Sequence, residues 1–207
     1  MRVLIADDHP LIRSAMKLLL ESDGHEVVAE ADNGADAVQL ARKHNVDLII
    51  LDITMPGLDG LEVINRIRAS EVKSRILVVT SQSPLFYSQR SMKAGAAGFI
   101  TKGQDLTELM RAVKVIMDGY TFFPFLAASS VRNSDTSMSD IELIQNLSAR
   151  ELYILQQLAR GLSNKKIAED MILSSKTIST YKARLIEKLN IKSVVYLAEF
   201  AKRNDLI

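Results

Sequence analysis

Five short apolar runs alternate with five amphipathic stretches across residues 1–118, and few folds accept that alternation. The runs are Val3–Ala6, Glu26–Ala29, Val46–Leu51, Ile76–Val79 and Gly98–Ile100. The stretches between and after them repeat apolar residues at helical spacing. Leu11, Ala15, Leu18 and Leu19 mark the first, which opens at Asp8 or Pro10. Ala37, Leu40 and Ala41 mark the second, and Leu61, Ile64 and Ile67 the third. Met92 and Ala94 close the fourth, and Leu106, Leu109, Val113 and Ile116 mark the fifth. This pattern predicts an α/β fold, a doubly wound parallel sheet of five strands. Val46–Leu51 is almost unbroken Val, Leu and Ile, as a central strand covered on both faces requires.

Open parallel sheets bind ligands beyond the carboxyl ends of their strands. Four of those ends carry polar groups: Asp7-Asp8, Asp52, Thr80-Ser81 and Thr101-Lys102. If the first, third, fourth and fifth strands are neighbours, three carboxylates, a hydroxyl and an ammonium meet in one pocket. Close carboxylates repel and need a cation or a proton. An all-oxygen site with few protein ligands suits Mg²⁺. A carboxylate at Asp52 can then attack a phosphoryl donor. Lys102 can offset charge on the phosphoryl oxygens, and Thr80 can donate to the product acyl phosphate. Singly, the parts have ordinary readings: Asp8 as a helix cap, Thr80 and Lys102 as loop residues, His9 as a solvated histidine. Their order along the chain makes the set specific.

Residues 119–143 change character: GYTFFPF is aromatic and broken by proline, and AASSVRNSDTSMSD is small and polar. The polar part suits a flexible linker, while the aromatic part suits packing on the first domain. From Leu147 onward the pattern is helical. Ser148 with Glu151 forms a capping-box pair, Gly161 stops that helix, and Asn164 caps a short second one. Ser174 or Ser175 caps a third running to about Leu189, and Ser193 starts a fourth ending near Arg203. Domains are therefore expected at 1–118 and 144–207, joined by 119–143.

Charge divides along the same line. Residues 145–207 hold 11 Lys/Arg and 6 Asp/Glu, so a total of +1 conceals a basic end and an acidic remainder. A polyanion partner fits that asymmetry, and so does an unevenly charged solvated surface. On the third helix Ile178, Leu185 and Leu189 share a narrow arc with Tyr181 beside it, so they should face the core. Lys176, Thr180 and Ala183 point the other way, flanked by Ser179 and Arg184. A small, polar, basic face fits a helix in the DNA major groove. Lys165, Lys166, Lys182 and Lys192 could reach phosphates.

ADD near the start, LDITMPGLDG, VVTSQ and GAAGFITK together resemble the receiver domain of bacterial response regulators, over residues 2–118. The resemblance implies that Asp52 is the phosphoacceptor. It implies that Asp7, Asp8, Asp52 and the backbone carbonyl of Thr54 hold Mg²⁺, with Thr80 and Lys102 as the family's Thr/Ser and Lys. Phe99 becomes the family's switch aromatic; without a hydroxyl it can pack inward at no loss of a hydrogen bond. That family often follows its lysine with a proline in a cis peptide. Here Gly103 follows, and a cis bond to a non-proline residue costs about 2.5–4 kcal/mol, so the Lys102–Gly103 conformation is open.

The C-terminal part resembles the LuxR-type helix-turn-helix domain over residues 146–203, through L-S-x-R-E, G-x-S-N-K-x-I-A, S-x-K-T-I-S and K-L-x-I-K-S. The implied DNA contacts are Lys165, Lys166, Lys176, Thr177, Ser179, Thr180, Lys182, Ala183 and Arg184. Tyr181 stands where that family commonly has His. Its fourth helix is the family's dimer contact on DNA, which would use Val194, Leu197, Ala198 and Ala201; the same stripe fits plain core packing.

Together the two parts resemble NarL/FixJ-class response regulators, of the BvgA/EvgA type in GAAGFITK, GYTFFP, LSNKKIA and AKRNDLI. The implied partners are a sensor histidine kinase or histidine phosphotransfer domain, double-stranded DNA, a second copy when active, and RNA polymerase. Phosphorylation would free the basic domain and favour a DNA-bound dimer. A haloacid-dehalogenase-type phosphatase would need a second Asp two residues after Asp52, where Thr54 stands, and a lid domain. The remaining alternative is a transcription factor whose acidic site is structural and phosphorylation-independent. Cysteine is absent, and no stretch approaches the roughly 18–20 apolar residues of a membrane span. A soluble cytoplasmic protein is expected.

Overall fold

The computed structural model describes residues 1–103, 106–124, 138–191 and 193–207, with only the backbone of Leu106, Met138 and Ser139. It divides into two units, Met1–Ser130 and Val131–Ile207. Residues 125–137 of the expected linker, and Lys192, lie outside the described residues.

The first unit runs β1 (Arg2–Ala6), α1 (Pro10–Ser22), β2 (Glu26–Ala31), α2 (Gly34–Lys43), β3 (Leu48–Leu51), α3 (Gly60–Arg68), β4 (Arg75–Thr80), α4 (Pro84–Ala94), β5 (Gly98–Thr101) and α5 (Leu106–Met117). All ladders are parallel, in the order β2-β1-β3-β4-β5. Alternate strand residues serve opposite faces. Val3, Ile5, Leu48, Ile50, Leu77, Val79 and Ile100 pack under α1 and α5 with Met16, Leu20, Leu109, Val113 and Ile116. On the other face α2 packs on β1 and β2 and α4 on β5, with α3 against both helices.

Two helix faces differ from expectation. In α1, Leu11 and Leu18 are 87% and 71% exposed and Ala15 is exposed, while Met16 and Leu20 are buried. Apolar residues nearly encircle this helix, so periodicity admits two stripes. Polar anchors set the rotation: Arg13 donates to the Asp7 carbonyl at 2.6 Å, and Lys17 to Glu30 on β2 at 2.8 Å. In α4, Met92 is exposed, and the buried face holds Phe86, Tyr87, Ser88 and Ser91. Among the described residues the buried Ser88 and Ser91 hydroxyls have no hydrogen-bond partner. Polar residues facing inward hid that face from a hydrophobic pattern.

The second unit is helical: α6 (Met138–Gln145), α7 (Ala149–Ala159), α8 (Asn164–Asp170), α9 (Ser175–Lys188) and α10 (Val194–Arg203). The capping box at Ser148 and Glu151 is present. Ser163, rather than Asn164, caps α8, accepting from the Lys166 N–H. Ser174 caps α9 in the same way. Asn164 instead links the two helices, donating to Ser179 Oγ at 3.1 Å. Leu152, Leu155, Ile167, Ile178, Leu185, Leu197 and Phe200 form the core. Among the described residues no helix is long and apolar enough to cross a membrane.

Candidate functional site

The strand order makes β1, β3, β4 and β5 neighbours, so their carboxyl ends open on one place. Backbone hydrogen bonds carry the ladder one residue past each strand. Asp7 N–H donates to Ala31 O, Asp52 N–H to Ala6 O at 2.8 Å, and Lys102 N–H to Thr80 O at 2.9 Å. The LDITMPGLDG segment then folds back tightly. Gly60 N–H donates to Ile53 O, and a Cβ at Gly60 would run into the Asp52 carbonyl. Asp59 caps α3.

Asp7, Asp52 and Thr80 are buried there, and Asp8 is partly exposed. Lys102 Nζ reaches over from β5, 2.6 Å from Asp52 Oδ2 and 2.8 Å from Asp7 Oδ2. The Thr80 hydroxyl hydrogen-bonds to Asp52, and the Thr54 N–H donates to Asp52 Oδ1 at 3.2 Å. Burial pushes the Asp52 carboxyl above its ordinary value, against the opposing pull of Lys102 and Thr80. Burial also pulls Lys102 down, but Asp52 and Asp7 more than offset it and hold the ammonium above the usual lysine value. A 2.6 Å contact with a second carboxylate on the same ammonium favours the charged form, and we assign carboxylate and ammonium at neutral pH.

Asp7, Asp8, His9 and Asp52 each offer one ligand atom, all within 4.8 Å of one another. Among the described residues, Asp7 Oδ2 and Asp8 Oδ1 are buried oxygens that accept no well-directed hydrogen bond, and their near neighbours are Lys102 Nζ and His9 Nδ1. Oxygens so placed fit a divalent cation of the Mg²⁺ kind. His9 itself is mostly exposed, 2.7 Å from Asp8 Oδ1. Phe99 is fully buried, in the inward position. The Lys102–Gly103 peptide is trans.

Two further contacts brace this site, one of them between Thr54 and Gln82, positions expected from the sequence to tune acyl-phosphate lifetime. Arg13 braces the Asp7 turn; its only signal was a basic residue one turn into α1. Gln82 Nε2 donates to Thr54 Oγ1 at 2.9 Å across the mouth of the site.

In the second unit, Lys165, Lys166, Lys176, Ser179, Thr180, Ala183 and Arg184 are exposed, and Thr177, Tyr181 and Lys182 half-buried. Ile178, Leu185 and Leu189 face the core. Lys166 is paired with Asp170 at 3.0 Å. The Ser179 and Thr180 hydroxyls donate to backbone carbonyls one turn back. The stripe on α10 divides between core packing and an outer face. Leu197 and Ala201 are fully buried in their own domain, because α10 packs on α7, so they are not free to meet a partner. Val194 and Ala198 are half-exposed, and Val195 is 72% exposed.

Comparison with known proteins agrees with this geometry. Residues 3–114 match the response regulator receiver domain, and residues 145–201 match the bacterial regulatory proteins of the luxR family. The chain is 49% identical over 205 residues to the virulence-factor transcription regulator BvgA of Bordetella pertussis, covering 99% of this chain and 98% of that one. It is 35% identical over 206 residues to the DNA-binding transcriptional activator EvgA of Escherichia coli, with both chains fully covered. RcsB from Salmonella enterica serovar Typhimurium, solved on promoter P1flhDC with phosphomimetic BeF3⁻, aligns over 98% of each chain at 26% identity and a TM-score of 0.71. The chain belongs to the response regulators that join a receiver domain to a LuxR-type DNA-binding domain.

Proposed function

We propose that this regulator is switched by phosphorylation of Asp52 and acts by binding promoter DNA through α8 and α9. The observation carrying this reading is the Asp7–Asp52–Lys102 cluster, a buried carboxylate held by an ammonium at the carboxyl edge of a parallel sheet. An Asp52 carboxylate oxygen attacks the phosphorus of a phosphohistidine on a sensor kinase or phosphotransfer domain. The new O–P bond forms as the N–P bond breaks, and the electron pair returns to the imidazole. Asp7, Asp8, Asp52 and the Thr54 carbonyl would hold Mg²⁺, which supplies positive charge to the acids and the transferred group. Lys102 moves from Asp7 to a phosphoryl oxygen, Thr80 donates to another, and Phe99 stays packed inward. The receiver thus promotes only its own phosphorylation and dephosphorylation.

Lys176, Thr177, Ser179, Thr180, Ala183 and Arg184 read or line the groove, while Lys165, Lys166 and Lys182 engage phosphates. The modified form binds as a homodimer, with the outer face of α10 around Val194 and Ala198 as the contact and RNA polymerase as the downstream partner. We take 1–118, 119–143 and 144–207 as receiver, linker and DNA-binding domain, working in the cytoplasm.

Intact mass after incubation with acetyl phosphate and Mg²⁺ tests the chemistry. A gain of one phosphoryl group in the wild type, absent in Asp52→Asn and abolished by EDTA, is expected. No gain in either overturns it and leaves a phosphorylation-independent DNA binder.

A further inference from the structure

Beyond α5 the chain makes a tight turn and comes back to the sheet. Gly119 takes a left-handed φ of 93°, its N–H donates to Ile116 O, and Tyr120 N–H donates to Val115 O. Phe122 then lies alongside β5, the edge strand of the sheet. Its N–H donates to Ala97 O at 2.9 Å, and its carbonyl accepts the Phe99 N–H at 2.9 Å. Gly98 and Phe122 form a parallel bridge between these two bonds.

The side chains support the same docking. The Phe122 ring is buried with Leu109, Val113 and Ile116, and Arg111 lies 5.8 Å over it. Gly98 leaves the room: a Cβ there would stand 3.0 Å from the Phe122 carbonyl and 2.7 Å from Ile116 Cδ1. By contrast the Tyr120 side chain is 71% exposed.

Phe122 therefore holds the backbone of Phe99 on β5, three residues before Lys102, which follows the last residue of that strand. Lys102 now spans two carboxylates, Asp7 and Asp52. We propose that Phe122 is a positioning residue that ties the conformation of β5, and with it Lys102, to the segment leaving the first unit. A phosphoryl group on Asp52 gives Lys102 one fixed partner, β5 stiffens, and the docked Phe122 sets the direction in which the chain leaves. Without that docking, events at Asp52 no longer reach the residues that follow. The inference rests on the proposed phosphorylation of Asp52.

The test uses the full chain with beryllofluoride and Mg²⁺ as the phosphoryl surrogate, fluorine NMR to read its binding, and DNA affinity as output. In the wild type the surrogate should bind and raise DNA affinity by roughly 5–150-fold, the usual span of coupling between sites. Phe122→Ala should still bind the surrogate but lose that gain; Phe122→Leu should restore most of it, and Tyr120→Ala should behave as wild type. Independently of any variant, backbone NMR should show the Phe99 and Phe122 amides exchanging about tenfold more slowly with the surrogate bound, equivalent to about 1.4 kcal/mol. If Phe122→Ala keeps the full gain, or the two amides are unchanged while the surrogate is bound, the positioning role is overturned and the phosphorylation reading stands. If the wild type does not bind the surrogate, both fall.

Discussion

Lys102 and Asp52 meet at 2.6 Å although they are fifty residues apart, each just past the end of a strand, with β4 between the two strands. The contact spans an edge strand and a central one, so it depends on the whole sheet.

Replacing Lys102 by Met should cut phosphoryl uptake from acetyl phosphate by about 10²-fold, as loss of one preorganised charge donor typically does. Lys102→Arg keeps the charge but not the compact ammonium, and should recover only part of it. Intact-mass time courses at fixed Mg²⁺ measure both.

Gln82 holds the hydroxyl of Thr54, whose N–H donates to Asp52 Oδ1. Gln82→Ala removes it and should shorten the acyl-phosphate lifetime by roughly 2- to 10-fold, matching a bond of about 0.5–1.5 kcal/mol. Decay followed by mass after donor removal checks it; an unchanged half-life would exclude this gating.

Glu151 joins the Ser148 capping box to Lys188 at 2.8 Å. Burial raises its carboxyl, but Lys188 and Ser148 outweigh that and hold it below the ordinary glutamate value. A depressed carboxylate contributes stability above its unfolded pKa and loses it as pH falls through the folded one. The second unit should therefore weaken from the ordinary glutamate range downward, and Glu151→Gln should flatten that dependence. Glu151→Ala should cost about 1–3 kcal/mol at neutral pH. Urea titrations across pH, read through α7 amide exchange, give both quantities.

Ile172 ends the turn between α8 and α9 with φ at +54° and its side chain 77% exposed. A β-branched residue is strained there, and little packing compensates. Ile172→Gly or Asn should stabilise the second unit by about 1 kcal/mol. Slower exchange of the slowest α9 amides is the expected sign.

On α10, burial separates two roles. Leu197→Ala should destabilise the domain by about 2–5 kcal/mol through a core cavity. Val195→Lys, on the outer face, should leave stability within about 0.5 kcal/mol yet weaken paired binding to a two-site DNA. Denaturation and gel-shift stoichiometry distinguish them.

Much of the first unit was legible because β1, β3, β4 and β5 are largely apolar runs and each of those four ends in chemistry. Asp7, Asp52, Thr80 and Lys102 could be aligned before their strands were known to be neighbours. The face of α1 was not legible, because Leu11 and Leu18 are as apolar as Met16 and Leu20; Arg13 and Lys17 decide by bonding across to Asp7 and Glu30. The inward face of α4 was hidden for the opposite reason, since Ser88 and Ser91 look like surface residues. On α10 the stripe of Val194, Leu197, Ala198 and Ala201 was visible, but a stripe does not say whether its partner is the same chain or another.

Ser88 and Ser91 carry a last consequence. Each is a hydroxyl stripped of water with no acceptor in its place among the described residues. A desolvated hydroxyl of that kind is about 1–3 kcal/mol less favourable than a satisfied one. Any outward displacement of α4 that wets them recovers part of that difference and offsets some of the packing lost at Phe86 and Tyr87. The seat of α4 is thus a frustrated minimum, and alanine at both positions would deepen it and make the helix slower to leave.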